Sequence, residues 1–134
     1  MDIDKARDFI RSNHRAVLAT RRRDGRPQMS PIAVTLDGEG RVVISSRERA
    51  YKVRNIRRHP QVSVCVLTDG YEWIQIDGTA DVQSLPDALE PLVDYYRSVS
   101  GEHPDWDEYR QAMRDQQRVL VRITIERAGP DRSA

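Results

Sequence analysis

Apolar and polar positions fall into short runs with two periods along this chain. Asp4 to Arg11 places Ala6, Phe9 and Ile10 on one side, which predicts a short amphipathic helix with Asp2 or Asp4 as its N-cap. We read it as a lid over one end of the fold. Ala16 to Thr20 is a strand, and Asp24-Gly25 is a hairpin turn leading into a second strand over Gln28 to Leu36. Asp37-Gly38-Glu39-Gly40 turns the chain into a third strand, Arg41 to Ile44. A helix is expected over Glu48 to Arg58, because Ser45-x-x-Glu48 has the spacing of a capping box and His59-Pro60 stops it.

The second half repeats the logic. Gln61 to Thr68 is a buried strand and Asp69-Gly70 a turn. Trp73 to Val82 alternates bulky or apolar with polar residues as a long strand, with Gly78 as a bulge or bend. Helices are predicted over Pro86 to Ser98 and Pro104 to Gln117, and Val119 to Ile125 closes the sheet. Six strands, short hairpins and helices inserted between strands predict an antiparallel barrel, mainly β, with helical additions. Residues 1–127 form the single domain and 128–134 a flexible tail. Neither a glycine-rich dinucleotide fingerprint nor a P-loop is present.

Composition narrows the chemistry. With 134 residues the chain is large enough for a core but small for a buried cofactor pocket, so a site between two subunits is expected. A net charge of +1, with 32% of residues charged in a mixed pattern, gives no global field toward nucleic acid or a membrane surface. The 6% aromatic content and lack of a reader motif argue in the same direction, so neither partner is expected. There is no long apolar segment and no signal peptide, which points to the cytoplasm. Cys65 lies in the apolar run Val62 to Leu67 as a buried, inert thiol. His14, His59 and His103 are too scattered to hold a metal, and none is expected.

The stretch Ser45 to Asn55 carries the candidate chemistry. It sets Ser45, Ser46, Arg47, Arg49 and Lys52 where a strand gives way to a helix, the arrangement of a phosphate cradle. Only Lys5 and Lys52 are lysines among the 22 basic residues, and an ammonium on a flexible stem reaches a phosphate as a point charge. A helix with solvated basic residues is the alternative. Arg21-Arg22-Arg23 reads as a solvated hairpin end or as a basic rim for an anionic tail.

Four segments, Asp24-Gly25-Arg26-Pro27-Gln28-Met29-Ser30, Lys52 to Pro60, Asp77-Gly78-Thr79-Ala80 and Gly101 to Arg110, resemble the coenzyme F420 (deazaflavin)-dependent branch of the pyridoxamine 5'-phosphate oxidase-like split β-barrel proteins. The resemblance runs from about Ala6 to Ile125 and implies an FMN-binding-like, six-stranded split barrel that is homodimeric, with two cofactor sites between the subunits. It implies a deazaflavin ring along the second strand, on main-chain groups of Gln28, Met29, Ser30 and Pro31. The ribityl phosphate would lie on Ser45, Ser46, Arg47, Arg49 and above all Lys52, with Asn55 one turn later. Ala50 departs from relatives that carry arginine there. Trp73 and Gln75, at i and i+2, would supply a wall and a hydrogen bond, core packing being the alternative for Trp73.

The implied activity is hydride transfer from reduced deazaflavin to a conjugated acceptor such as an enone, quinone or tetrapyrrole. No side chain is required as a nucleophile. Tyr71, Tyr96, His103, Tyr109 or solvent would deliver the proton. An FMN-dependent oxidoreductase on the same scaffold and a non-catalytic F420 carrier are the alternative readings.

Overall fold

The computed structural model describes residues 1–130. Its elements are α1 (Ile3–Ser12), β1 (Arg15–Arg21), β2 (Pro27–Ala33), β3 (Thr35–Leu36), β4 (Val42–Arg47), α2 (Tyr51–Arg58), β5 (Gln61–Leu67), β6 (Trp73–Gln83), α3 (Leu89–Ser100), α4 (Trp106–Asp115) and β7 (Arg118–Gly129). The strands form one seven-stranded sheet in the order β2-β1-β5-β6-β7-β4-β3, antiparallel at every pairing. The sheet curls into a split barrel whose two open ends are β2 and β3. Seven strands replace the six expected because Gln28 to Leu36 breaks at Val34, a buried residue whose N–H donates to the His14 carbonyl at 2.7 Å.

Alternation along each strand sends one set of side chains inside. Ala16 and Leu18 of β1, Val62, Val64 and Val66 of β5, Ile74 and Ile76 of β6 and Val119, Val121 and Ile123 of β7 form this core. From α1, Ala6 and Ile10 are fully buried in it, the side on which the apolar pattern put them, and the N-cap is Asp2, which accepts from the Asp4 N–H. A second apolar layer lies on the outer face of β4 and β7, where Val43 and Leu120 pack on Leu92, Val93, Tyr109 and Met113 of α3 and α4. On β2, β1, β5 and the start of β6 the outer face carries no helix.

Gly78 is a bulge, as expected. The β6–β7 register shifts between Asp77 and Gly78, leaving Glu126 as the extra residue opposite, since Asp77 pairs with Arg127 and Gly78 with Ile125.

The helices expected from Pro86 and Pro104 begin later, at Leu89 and Trp106, and three further boundaries differ from expectation. β4 runs on through Arg47, because Ser45, Ser46 and Arg47 pair with Leu120, Val119 and Arg118 of β7. The Ser45-x-x-Glu48 capping box therefore does not form: α2 begins at Tyr51 behind Ala50, with no side-chain cap, and Glu48 instead accepts from Arg57. At the far end β7 extends to Gly129, with Ala128 buried opposite Ile76, so the expected tail does not begin at Ala128. Its remainder, 131–134, lies outside the described residues.

Candidate functional site

The split is an unpaired pair of strand edges. Arg22 N–H bonds to the Arg26 carbonyl and Val34 N–H to that of His14, and these bonds set the phase of the β1–β2 ladder. Residues 28, 30 and 32 turn their main-chain groups to β1, and residues 27, 29, 31 and 33 turn theirs to the open edge. Pro27 and Pro31 thus fall where a missing N–H costs no ladder bond. The Met29 N–H and carbonyl and the Pro31 carbonyl face the split. Gln28 and Ser30 send their side chains to the inner face with Thr20 and Leu18, whereas Met29 and Pro31 point outward.

β4 makes the opposite edge. Glu48 N–H bonds to the Gln117 carbonyl, so residues 44 and 46 bond to β7 while 43, 45 and 47 face away from it. β3 covers only Val42 and Val43, which leaves the main chain of Ser45 and Arg47 at the split. Tyr95 of α3 spans the gap at one end: its hydroxyl donates to the Ala33 carbonyl on β2 at 2.8 Å, and the Ser45 backbone bonds to the same hydroxyl. Burial raises the Tyr95 pKa, which keeps the clasp a neutral donor. Ser46 points into the core and is 2% exposed, so its side chain is withdrawn from any ligand at the split.

Cations gather at the other end. Lys52, in the first turn of α2, is half-buried, and burial first and the charge of Arg118 second lower its pKa. Next to it a groove of about 780 Å³ runs between α2 and the β1–β2 hairpin, lined by Arg22, Arg23, Arg54, Arg57, Arg58 and Gln28 among others. Of these five arginines only Arg57 has a carboxylate partner among the described residues, Glu48. The Arg21-Arg22-Arg23 run and the arginines of α2, which the sequence separates, thus share one anion-attracting groove.

Asn55 also borders the groove, and its amide makes two bonds within the fold. Nδ2 donates to Thr20 Oγ1 at 3.1 Å, and Oδ1 accepts from Arg58 at 2.8 Å. It anchors α2 on β1, and the turn from Lys52 to Asn55 is held in place by that lock.

Trp73 and Gln75 lie on the outer face of β6, three ladders from the β2 edge. The structure does not bring them to the split within one protomer. They border an outer-face patch with Cys65, Val17 and Pro31, aligned across β5, β1 and β2. Cys65 is half-buried there and not in the core, and burial pushes its thiol pKa up. Among the proton-donor candidates, Tyr96, His103 and Tyr109 pack on one another and on Trp106 with ring centroids 5.0 to 5.8 Å apart. The Tyr109 hydroxyl is used by the Leu92 carbonyl at 2.8 Å, and burial pushes its pKa up to about 12. Tyr71 is 92% exposed in the β5–β6 turn. None of these four is placed at the split. Sequence reasoning missed Arg118 and Tyr95, which reach the site only through the sheet register and the α3 layer.

The described residues contain no group of three or more His, Cys, Asp or Glu placed to hold a metal ion, and no helix long and apolar enough to cross a membrane. The arrangement therefore offers main-chain donors and acceptors for a flat polar group, with a cationic end for an attached anion.

Comparison with known proteins accords with this geometry. The family model described as pyridoxamine 5'-phosphate oxidase matches residues 3–130. A conserved hypothetical protein from Mycobacterium tuberculosis superposes with a TM-score of 0.78 at 25% identity, covering 100% of this chain and 92% of that one. An F420 reductase gives a TM-score of 0.72 at 20% identity, covering 91% of this chain and 94% of its own. The heme storage protein HutZ from Vibrio cholerae gives 0.70 at 20% identity, with 96% and 94% covered, so one fold carries different roles.

Proposed function

The chain belongs to the pyridoxamine 5'-phosphate oxidase family, and we propose that within it this protein is an F420-dependent reductase that passes hydride to a conjugated small-molecule acceptor. The observation that carries the reading is the pairing of an open strand edge with a cationic end. The residues fit the group. Free main-chain groups at Met29 and Pro31 suit the polar edge of a tricyclic ring, and Lys52 with Arg47 and Arg49 suits a ribityl phosphate. Beyond the phosphate, the arginine groove suits the oligoglutamate tail that F420 carries and FMN lacks. When bound, the deazaflavin supplies a two-electron hydride. The protein's part is to orient ring and acceptor and to exclude water. The similarity to an F420 reductase supports the same choice.

Titration of intrinsic Trp fluorescence with F420 and with FMN tests this reading. F420 is expected to bind at micromolar concentration or tighter, and better than FMN. Tighter binding of FMN would contradict the deazaflavin assignment and favour the FMN-dependent alternative. Tight F420 binding without turnover of reduced F420 against quinones and enones would favour a carrier.

The functional unit in this reading is a homodimer. Val17, Pro31, Cys65, Leu67 and Trp73 leave an uncovered, largely apolar strip on the outer sheet face, and Met29 on the same face is 59% exposed. A second copy seated there would cover the strip and bring its Trp73 and Gln75 toward the neighbouring split, where one protomer alone cannot place them. Sedimentation is expected to show a dimer. A stable monomer that binds one F420 at full affinity would contradict this arrangement.

A further inference from the structure

Arg118, the first residue of β7, is held in a position that its own subunit does not explain. The β4–β7 ladder sets it directly opposite Arg47, on the same face of the sheet. By the phase established above this is a non-hydrogen-bonded pair, the kind in which opposed Cα atoms approach to about 4.5 Å. Like charges directly opposite one another destabilise a sheet. Lys52 of α2 adds a third positive charge within electrostatic reach of Arg118. None of the three has a carboxylate partner among the described residues, although Arg57 and Arg122 nearby do. The other groups that bear on Arg118 are Tyr95 of α3 and Tyr109 of α4, whose raised pKa values keep them neutral.

Geometry makes the guanidinium available. Arg118 Nε is fixed by the Gln116 side chain at 2.8 Å, which leaves both terminal nitrogens as a free fork. Solvent reaches it, since Arg118 lines one open depression of about 470 Å³ with Arg49 and with Glu48, whose carboxylate is paired to Arg57. Burial lowers the pKa of both Arg118 and Lys52, and a bound anion would relieve that cost.

We propose that Arg118 completes, with Lys52 and Arg47, an anion site that takes the phosphate group of the ribityl-phosphate cofactor. The assignment of the anion rests on the function proposed above. The existence of the anion site does not.

The test compares wild type, Arg118→Gln and Arg118→Lys with three probes: F420, its riboside lacking the phosphate, and inorganic phosphate. Arg118→Gln is expected to weaken F420 binding roughly tenfold, about 1.4 kcal/mol, and to leave binding of the phosphate-free riboside unchanged. Arg118→Lys should recover part of the loss, because it restores charge without the fork. Thermal stability without ligand should be unchanged or higher in Arg118→Gln, since like-charge crowding is relieved. Inorganic phosphate should raise the melting temperature of wild type and not that of Arg118→Gln. Equal loss for F420 and the riboside would mark a structural role and overturn the proposal, as would unchanged F420 binding. If wild type binds no deazaflavin, the cofactor reading has failed, and the phosphate-dependent melting shift alone decides the anion site. Its absence in wild type would overturn the site as well.

Discussion

Replacing Lys52 with alanine is expected to weaken F420 binding by about 1.5–3 kcal/mol, or roughly ten- to hundredfold, because it removes a charge-assisted hydrogen bond at a half-buried position. Stability without cofactor should hardly change or should rise. The fold lowers the Lys52 pKa through burial and the Arg118 charge, so keeping the ammonium charged in the folded state costs stability below its unfolded pKa. Removing it relieves that cost. Lys52→Arg restores the charge but asks for bidentate geometry, and partial recovery follows. If α2 were only a solvated surface helix, both substitutions would leave cofactor affinity within a few tenths of a kcal/mol of wild type. Isothermal titration of F420 into the three proteins at fixed salt separates these outcomes.

Gly78→Ala is expected to be the most damaging glycine-to-alanine change in the sheet. A Cβ at this position would lie 2.1 Å from the Thr124 carbonyl oxygen and 2.9 Å from Ile123 Cγ2. The first of these is main chain of the β7 partner, fixed by the bulge, and cannot rotate away. Overpacking of this kind costs typically 1–3 kcal/mol and occasionally more; with backbone as the obstacle we expect about 3 kcal/mol, a fall in melting temperature on the order of 10 °C. Thermal unfolding followed by circular dichroism measures it. A melting temperature within about 2 °C of wild type would show that the bulge can open without penalty.

Local chemistry wrote much of this fold into the sequence. Asp24-Gly25 is a hairpin turn because Gly25 takes φ 88°, and His59-Pro60 ends α2 because His59 leaves the helical region at φ −146°. Gly78 was legible as a bulge for the same reason, a small residue inside a strongly alternating strand. The misreadings fall where partners distant in sequence decide. Ser45 to Arg47 looked like a helix start, but six ladder pairs with β7 hold β4 extended through Arg47. Ala128 looked like a tail because its apolar neighbours are few, yet β6 is long enough to pair with it.

The candidate site divides along the same line. Lys52 and the arginines of α2 could be singled out because they stand together in the chain. Arg22 and Arg23 stand in a visible basic run, but only the packing of α2 beside the β1–β2 hairpin shows that they share its groove. Asn55 carries a second role that the sequence does not show, locking α2 to Thr20, a contact that requires knowing which helix face meets β1. Arg118 carried no local signal at all. It becomes part of the site through register, and Tyr95 through the packing of a helix layer over the open end of the split.

A structure of the protein crystallised with F420 decides whether the split holds the cofactor. The deazaflavin ring is expected between the edges of β2 and β4, bonded to main-chain groups of Met29 or Pro31, with its phosphate within hydrogen-bond distance of Lys52 and Arg118. A ring bound on the α3–α4 layer, or a phosphate held away from Lys52, would contradict that placement.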